Sequence, residues 1–383
     1  MFGGKWQHNR CPIGIDFGGH SVKMLQLRRL PAGDDPAAPR WAIQAAASRT
    51  LAADLPTRGQ ARQQAVAKAI TDMLEGGSFH GRRCVSCLPA DLLQYKNLRI
   101  PRMPLDEMRS AVEWEAKDRL KLDPGQAMVQ FYAAGEVRQG EEQREEIILM
   151  AAPRPQVDEH VQVLTDCGLD PAAIDAVPSA LARVLTAPAS ADGESADVII
   201  DVGYFSTKVI MLRDGRVQFL KLIDIGGRKL DEMVAQHLNL PLGDASELRR
   251  CINGSGGGSS ELFGSTRRET VERAVFETLR ATVGDLSREV GLCLRYVSVT
   301  FRGRRPDKAL LVGGEVHEQG LAQLLAEGAG IAVEPAQPFA GIDVGDWGPT
   351  MNRDGRYSEW AVAAGLSMRP EARTVSKRKA VAA

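Results

Sequence analysis

One pattern, D-x-G-x-x-S-x-K, occurs twice in the chain and constrains the fold more than any other feature. The first copy is Asp16-Phe17-Gly18-Gly19-His20-Ser21-Val22-Lys23 and the second is Asp201-Val202-Gly203-Tyr204-Phe205-Ser206-Thr207-Lys208. Each follows a β-branched run, Ile13-Gly14-Ile15 or Ile199-Ile200, and precedes another apolar run. Matching context on both sides makes duplication a better explanation than chance. In the second copy Asp197–Val202 and Thr207–Leu212 read as buried strands. Asp214-Gly215 then supplies the positive-φ residues of a type I′ hairpin before a strand over Val217–Ile225. The first copy has strands over Pro12–Asp16 and Ser21–Arg28, a longer loop over Pro31–Arg40, and a strand near Trp41–Ser48. Each copy therefore opens an α/β half with a β-meander.

Helical periodicity follows each meander. Arg58–Leu74 places Val66, Ile70 and Leu74 four apart, and Glu269–Tyr296 repeats Val271, Val275, Leu279, Val283, Leu286, Val290 and Leu294 every three or four residues. Between the halves, Asp91–Cys167 reads as an inserted α+β segment. It has a helix starting near Pro104, with Asp106 and Glu107 in its first turn. Strands near Ala127–Ala133 and Ile147–Ala152 and a helix over Gln156–Asp166 complete it. The expected units are a first lobe over 1–90, the insert over 91–167, a connecting helix region over 168–195, a second lobe over 196–366 and a basic tail over 367–383. Asn253–Ser260 is glycine and serine, and reads as a loop. The tail carries Arg373, Lys377, Arg378 and Lys379, which suit a solvated segment or a weak contact with anionic lipid or a partner.

Composition narrows the class. At about 150 residues per domain, 383 residues imply two or three units. Lysine plus arginine number 48 against 49 acidic residues, a balance that gives no support for a nucleic-acid binder. No apolar run is long enough to span a membrane, and Met1–Arg10 lacks the apolar stretch of a secretory signal, so a cytoplasmic protein is expected. Cys84 and Cys87 have the spacing of a redox or zinc pair, but on a strand positions three apart face opposite ways. No second pair completes a tetrahedral site.

The repeated turns suggest a chemistry. A carboxylate at a strand end, followed by a glycine-rich turn, aims backbone N–H groups into one concave space, where phosphate oxygens bind. Asp16 is then placed to hold a hydrated magnesium ion, which takes few carboxylates, and Asp201 faces it from the second turn. Lys23 and Lys208 add positive charge or, at strand positions, face solvent. Singly, such turns use these residues for structure alone. Lys308–Val312 reads as a strand ending in Gly313-Gly314-Glu315, with a helix expected from His317. Paired glycines there fit either a ligand lying against the backbone or an ordinary tight turn.

Together these features resemble the actin-like ATPase superfamily, and within it the PilM family of type IV pilus assembly proteins. The resemblance runs from Ile13 to Leu366. It includes Ser86-Cys87-Leu88-Pro89, Met108–Leu120 with Trp114-Glu115-Ala116, Ala151-Ala152-Pro153, Ile174-Asp175-Ala176-Val177-Pro178-Ser179, Ile225-Gly226-Gly227 and Leu310–Glu315. It implies a two-lobed α/β fold with ATP and Mg2+ in the central cleft and a 1C-type subdomain inserted in the first lobe. Asp16, Gly18, Gly19, His20, Ser21 and Lys23 would form the first phosphate loop. Asp201, Gly203, Ser206 and Thr207 would form the second, and Gly313 and Gly314 the adenosine loop. Glu247 and Arg250 resemble the glutamate–x–x–lysine pair that contacts ribose and base, although a solvated helix face explains them as well.

The chain departs from the family at three points. Gly19 replaces a hydroxyl residue, and Tyr204 and Phe205 are bulky where small residues are usual, facing either the cleft or the lobe. Weak or absent hydrolysis is expected, since no residue is evident to position an attacking water. Two other readings share the fold: a type II secretion platform, which usually continues into a membrane helix, and a small-molecule kinase, which needs a base for its acceptor.

For partners, the resemblance implies capture of the cytoplasmic N-terminal peptide of a PilN-like single-pass inner-membrane protein, with contacts to other pilus components and a homo-oligomer left open. Location would be cytoplasmic, peripheral at the inner membrane through that partner, with no direct insertion. The groove walls would include Leu98, Ile100 and Met103, with Arg99 and Arg102 between them. An apolar strand face there also fits plain subdomain core.

Overall fold

The computed structural model describes residues 10–31, 41–123, 125–140, 142–186, 196–254, 265–301, 306–347, 351 and 356–370. The Pro31–Arg40 loop, the Gly/Ser stretch and the tail lie mainly outside them, as do residues 187–195 of the connecting region.

Both meanders form. β1 (Arg10–Phe17), β2 (Ser21–Arg29) and β3 (Trp41–Thr50) pair antiparallel in the first lobe. β9 (Ala196–Val202), β10 (Thr207–Arg213) and β11 (Arg216–Ile223) do so in the second. Asp214 at φ 53° and Gly215 at φ 70° close the β10–β11 hairpin. Each meander continues on its β1 or β9 side with parallel strands. β4 (Arg83–Cys87) and β8 (Asp170–Asp175) extend the first, and β12 (Lys308–Val312) and β13 (Ala332–Pro335) the second. The strand orders β3-β2-β1-β4-β8 and β11-β10-β9-β12-β13 match position for position. Duplication therefore covers a whole sheet, not only a motif.

Helices cover these sheets by their apolar stripes. In the first lobe α1 (Gln60–Gly76) and α3 (Arg154–Asp166) bury Ile70, Met73 and Leu164 against Ile13 and Ile15 of β1. In the second, α7 (Ser265–Phe301) buries Val275, Leu279, Val283, Leu286, Val290 and Leu294 against Ile200 and Val209, with α5 (Gly227–Leu238), α6 (Leu242–Asn253) and α8 (Leu321–Ala329) around it. Each such side chain contributes about 1.5–3 kcal/mol. A further cluster joins the lobes: Val85, Cys87 and Leu181 of α4 (Val177–Leu185) meet Ile199, Ile210, Leu220 and Val312. Cys84 and Cys87 fall into different clusters, so their thiols diverge as expected.

The insert is a sheet ordered β5 (Gln94–Pro101), β7 (Glu142–Pro153), β6 (Ala127–Gln139), with α2 (Leu105–Leu120) on one face. Several boundaries differ from expectation. Pro104 caps α2 from outside rather than opening it. α3 serves the first lobe, because Leu164 sits beneath β1, so the insert ends near Pro153. The connecting region opens with a strand rather than a helix: Asp175 ends β8, and pairs at 2.7 Å with both Arg183 and Arg369. The second lobe does not run to residue 366: β14 (Ile342–Asp343) pairs with β3, and α9 (Ala361–Ser367) lies against β1 and α4. Two glycines permit that return. A Cβ on Gly14 would stand 2.2 Å from the Ala363 carbonyl oxygen, and one on Gly365 would stand 1.9 Å from that of Ala180.

Candidate functional site

A cleft of about 480 Å3 opens between the lobes, within the roughly 300–1,000 Å3 usual for small-molecule sites. Each phosphate-loop candidate is held there by its carbonyls. Arg62 of α1 donates to the carbonyl oxygens of Gly18 at 3.2 Å and Gly19 at 3.0 Å. The carbonyls of Gly203 and Tyr204 accept from the N–H groups of Gly227 at 3.0 Å and Arg228 at 2.7 Å, where α5 begins. Arg62 lies in register with Val66 and Ile70, four apart on α1, which is the sequence signal that its charge turns inward.

The two aspartates face different surroundings. Asp201 is buried and bonded by the Lys208 ammonium at 2.9 Å. Burial works against that ammonium, yet the Asp201 carboxylate, with Asp16 beyond, holds its pKa above the ordinary lysine value. Lys208 thus faces the cleft, not solvent. Asp16 has the Cys87 thiol at 3.8 Å. Burial raises its carboxyl above the usual carboxylate range, Lys23 offsets part of that, and the Asp201 charge adds to it. Lys23 itself donates to Ser21 Oγ at 3.0 Å.

Tyr204 and Phe205 both line the cleft. The Tyr204 ring lies 5.0 Å from that of His20 and 5.1 Å from that of Phe205. A Cβ on Gly19 would meet the Phe205 ring at 2.7 Å and the Tyr204 Cβ at 2.9 Å. The missing side chain at position 19 and the bulk at 204 and 205 are therefore one complementary fit across the cleft. Arg250 reaches over from α6 to bond the His20 ring.

At the Gly313-Gly314 turn, Gly313 takes φ 104°, and a Cβ there would stand 2.3 Å from the Val202 carbonyl oxygen. Residues 313–320 are turns, and α8 starts at Leu321, after Gly320 at φ 75°, not at His317. Beside this turn lies a buried charge network. Arg249 bonds Asp231 at 2.6 Å, Glu315 at 2.7 Å, Glu318 at 2.5 Å and the Gly227 carbonyl at 3.0 Å. Burial, with Glu315 adjacent, holds Glu318 above the ordinary carboxylate range in spite of Arg249.

Asp16, Gly18, Gly19, His20, Ser21, Lys23, Asp201, Gly203, Ser206, Arg250, Gly313 and Gly314 all line this one cleft. Thr207 does not. Strand alternation turns it away from Ser206 and Lys208, and its hydroxyl donates to the Ile225 carbonyl at 2.7 Å. Glu247 is exposed on the outer side of α6, whose cleft face carries Ser246, Arg249, Arg250 and Asn253. Of the groove residues, Leu98 and Ile100 are buried against Met108, Val112 and Ala116 of α2 as subdomain core, and Met103 packs half-buried at its edge.

Whether ATP and magnesium suit these residues depends on the donors. Two glycine turns and the cations Lys23, Arg62 and Arg250 fit a polyphosphate. Asp16 and Asp201 fit a hydrated magnesium in kind, with Lys208 already neutralising one of them. Among the described residues there is no group of three or more His, Cys, Asp or Glu that could hold a metal ion, and no helix is long and apolar enough to cross a membrane.

The model of the family described as type IV pilus assembly protein PilM matches residues 14–371. The fold is similar to that in the PilM-PilN type IV pilus biogenesis complex, with TM-score 0.70 and 24% identity over 93% of this chain and 97% of that one. It is also similar to the ethanolamine utilization protein EutJ from Carboxydothermus hydrogenoformans, with TM-score 0.51 and 11% identity over 93% and 88%. A family match over nearly the whole chain, on a duplicated two-lobed actin-like fold, places this chain in the PilM family of type IV pilus assembly proteins.

Proposed function

We propose that this chain is an ATP-binding scaffold of a type IV pilus machine, cytoplasmic and held at the inner membrane through a partner. The observation that carries the nucleotide reading is the convergence of both glycine turns on one cleft, with Lys23, Arg62 and Arg250 around it. Asp16 and Asp201 would hold magnesium through water, and magnesium would supply charge neutralisation at the phosphates. The Gly313-Gly314 turn would take the adenosine, with Glu315 and Glu318 of the adjoining network near its ribose. Slow or absent turnover is expected, since Asp175, the carboxylate at the end of β8, is tied to Arg183 and Arg369 and does not line the cleft.

The partner reading rests on the solved PilM-PilN complex, whose fold this chain shares. The chain would capture the N-terminal peptide of a PilN-like single-pass protein through the insert and link it to other assembly components. With Leu98 and Ile100 committed to the core, Met103 is the residue of that group left at the edge.

One calorimetric series tests both parts. ATP with magnesium should bind, and Asp16→Ala should raise its dissociation constant at least about tenfold, or 1.4 kcal/mol. The N-terminal peptide encoded beside this gene, titrated into the same protein, should bind whether or not ATP is present. Absence of ATP binding would leave a vestigial cleft, and absence of peptide binding would remove the capture role.

A further inference from the structure

Five large apolar side chains are strongly exposed among the described residues, and three of them, Leu292, Tyr296 and Val299, are on α7. Their exposures are 47%, 38% and 79%. Spacings of four and three put them on one stripe of the helix, turned away from Val290 and Leu294, which enter the lobe's core. The stripe is one wall of a groove of about 770 Å3, and Arg99, Val137 and Arg138 of the insert form the other. On β5 the side chains alternate, so Arg99 faces this groove while Leu98 and Ile100 face α2.

The charges around the groove do not cancel. Arg99 is bound to the buried Glu146 at 2.8 Å, and the Tyr296 hydroxyl bridges the two, accepting from Arg99 at 2.9 Å and donating to Glu146 at 3.1 Å. That network fixes the Tyr296 ring as a rigid wall packed on Phe219, 5.5 Å away. Glu136 is paired with Arg102 at 2.9 Å. Arg138 and Arg295 stand exposed on opposite walls with no carboxylate partner among the described residues. An apolar stripe between two uncompensated guanidinium groups is complementary to a helix with apolar anchors on one side and carboxylates flanking them. A second copy of this chain is a poorer match, because a two-fold pairing would bring Arg138 and Arg295 against their own kind.

We propose that this groove between α7 and the insert docks an acidic amphipathic helix of a partner protein. It is separate from the nucleotide cleft and from the face of the insert occupied by α2. Because the groove spans the second lobe and the insert, such a helix would clasp the two together.

The test uses the full chain and a fluorescein-labelled helical peptide of leucine and glutamate, with leucines three and four apart, followed by fluorescence anisotropy. Saturable binding is expected, weakening as salt is raised. The paired substitutions Arg138→Glu with Arg295→Glu, and separately Leu292→Ser with Val299→Ser, should each weaken it at least about tenfold, with thermal melts unchanged since all four residues are exposed. Replacing the peptide's glutamates by lysines should abolish binding. The proposal is overturned if the unmodified protein shows no saturable binding, if the lysine peptide binds equally well, or if either pair of substitutions leaves affinity unchanged. It is also overturned if sedimentation velocity shows a dimer that Val299→Glu dissociates, since the face would then belong to a second copy.

Discussion

The two D-x-G-x-x-S-x-K turns share a sequence pattern and a place in matching sheets, yet they distribute charge in opposite ways. In the second, Lys208 is buried and closes on its own aspartate at 2.9 Å. In the first, Lys23 is half-exposed and donates to Ser21 Oγ at 3.0 Å, while Asp16 has the Cys87 thiol at 3.8 Å and feels the Lys23 charge without a direct bond among the described residues. The strands beneath differ as well. Gly14 in the first copy gives way to let α9 approach, and Ile199 in the equivalent place of the second fills the core between the lobes. Duplication preserved the backbone path while the charge pairing diverged: in the second turn the lysine closes on its own aspartate, and in the first it closes on the serine.

The largest expected effect separates the two lysines. Lys208→Met leaves Asp201 buried without its partner, a change that typically costs about 3–5 kcal/mol. Lys23→Met removes a half-exposed hydrogen bond, which is worth about 0.5–1.5 kcal/mol. Urea denaturation of both variants measures the contrast, and equal losses would show that the charge pairing of the copies does not differ as described. ATP binding should respond in the opposite order, with Lys23→Met the more damaging of the two.

Next comes the fit across the cleft. Gly19→Ala places a methyl against the Phe205 ring and the Tyr204 Cβ, and overpacking of this kind costs about 2 kcal/mol. Phe205→Ala should remove most of that penalty, so the double variant should be less destabilised than the two single losses added together. Strict additivity in thermal or urea unfolding would mean that the turns do not touch in solution.

How much of this was legible in the sequence follows from what each pattern encodes. Period-2 and period-3.6 patterns report burial directly, so the meanders, α1 and α7 were readable, as was the Asp214-Gly215 turn. Membership of the cleft was readable where glycine and aspartate mark a turn. Arg62 and Arg249 were missed because a charge normally signals a solvated face. Each is turned inward by tertiary partners far along the chain, namely the Gly18 and Gly19 carbonyls for one and three acidic residues for the other. Only their register with Val66 or Ala245 hinted at this. Thr207 and Glu247 erred by a single position, since one residue along a strand reverses the face and one along a helix turns it by about 100°. The return of β14 and α9 to the first lobe depends on Gly14 and Gly365 accepting a close approach, and no local pattern reports that. At Leu98 and Ile100 the alternation marks a strand with one apolar face, but the pattern does not say whether that face meets α2 or a guest.

The smallest expected effect concerns what supports each turn. Phe17, which leads into the first turn, rests edge-on against the buried His160 ring at 4.5 Å, and that ring bonds Ser86 Oγ at 3.0 Å. Val202, in the equivalent place of the second copy, belongs to the apolar core cluster of the second lobe. Burial pushes the His160 pKa down to about 4, against about 6.5 for an unfolded chain. Between those values the unfolded chain binds a proton that the folded chain refuses. Stability from this group is therefore intact above about pH 6.5, declines as pH falls, and reaches its full deficit below about pH 4. From about pH 7.5 to about pH 6 the expected loss is roughly 1 kcal/mol. His160→Gln removes the titration, and whatever its baseline cost, its stability should change less over that interval than that of the unmodified protein. Urea midpoints at the two pH values measure the difference. An unchanged pH dependence would place the acid sensitivity elsewhere and remove this distinction between the two turns.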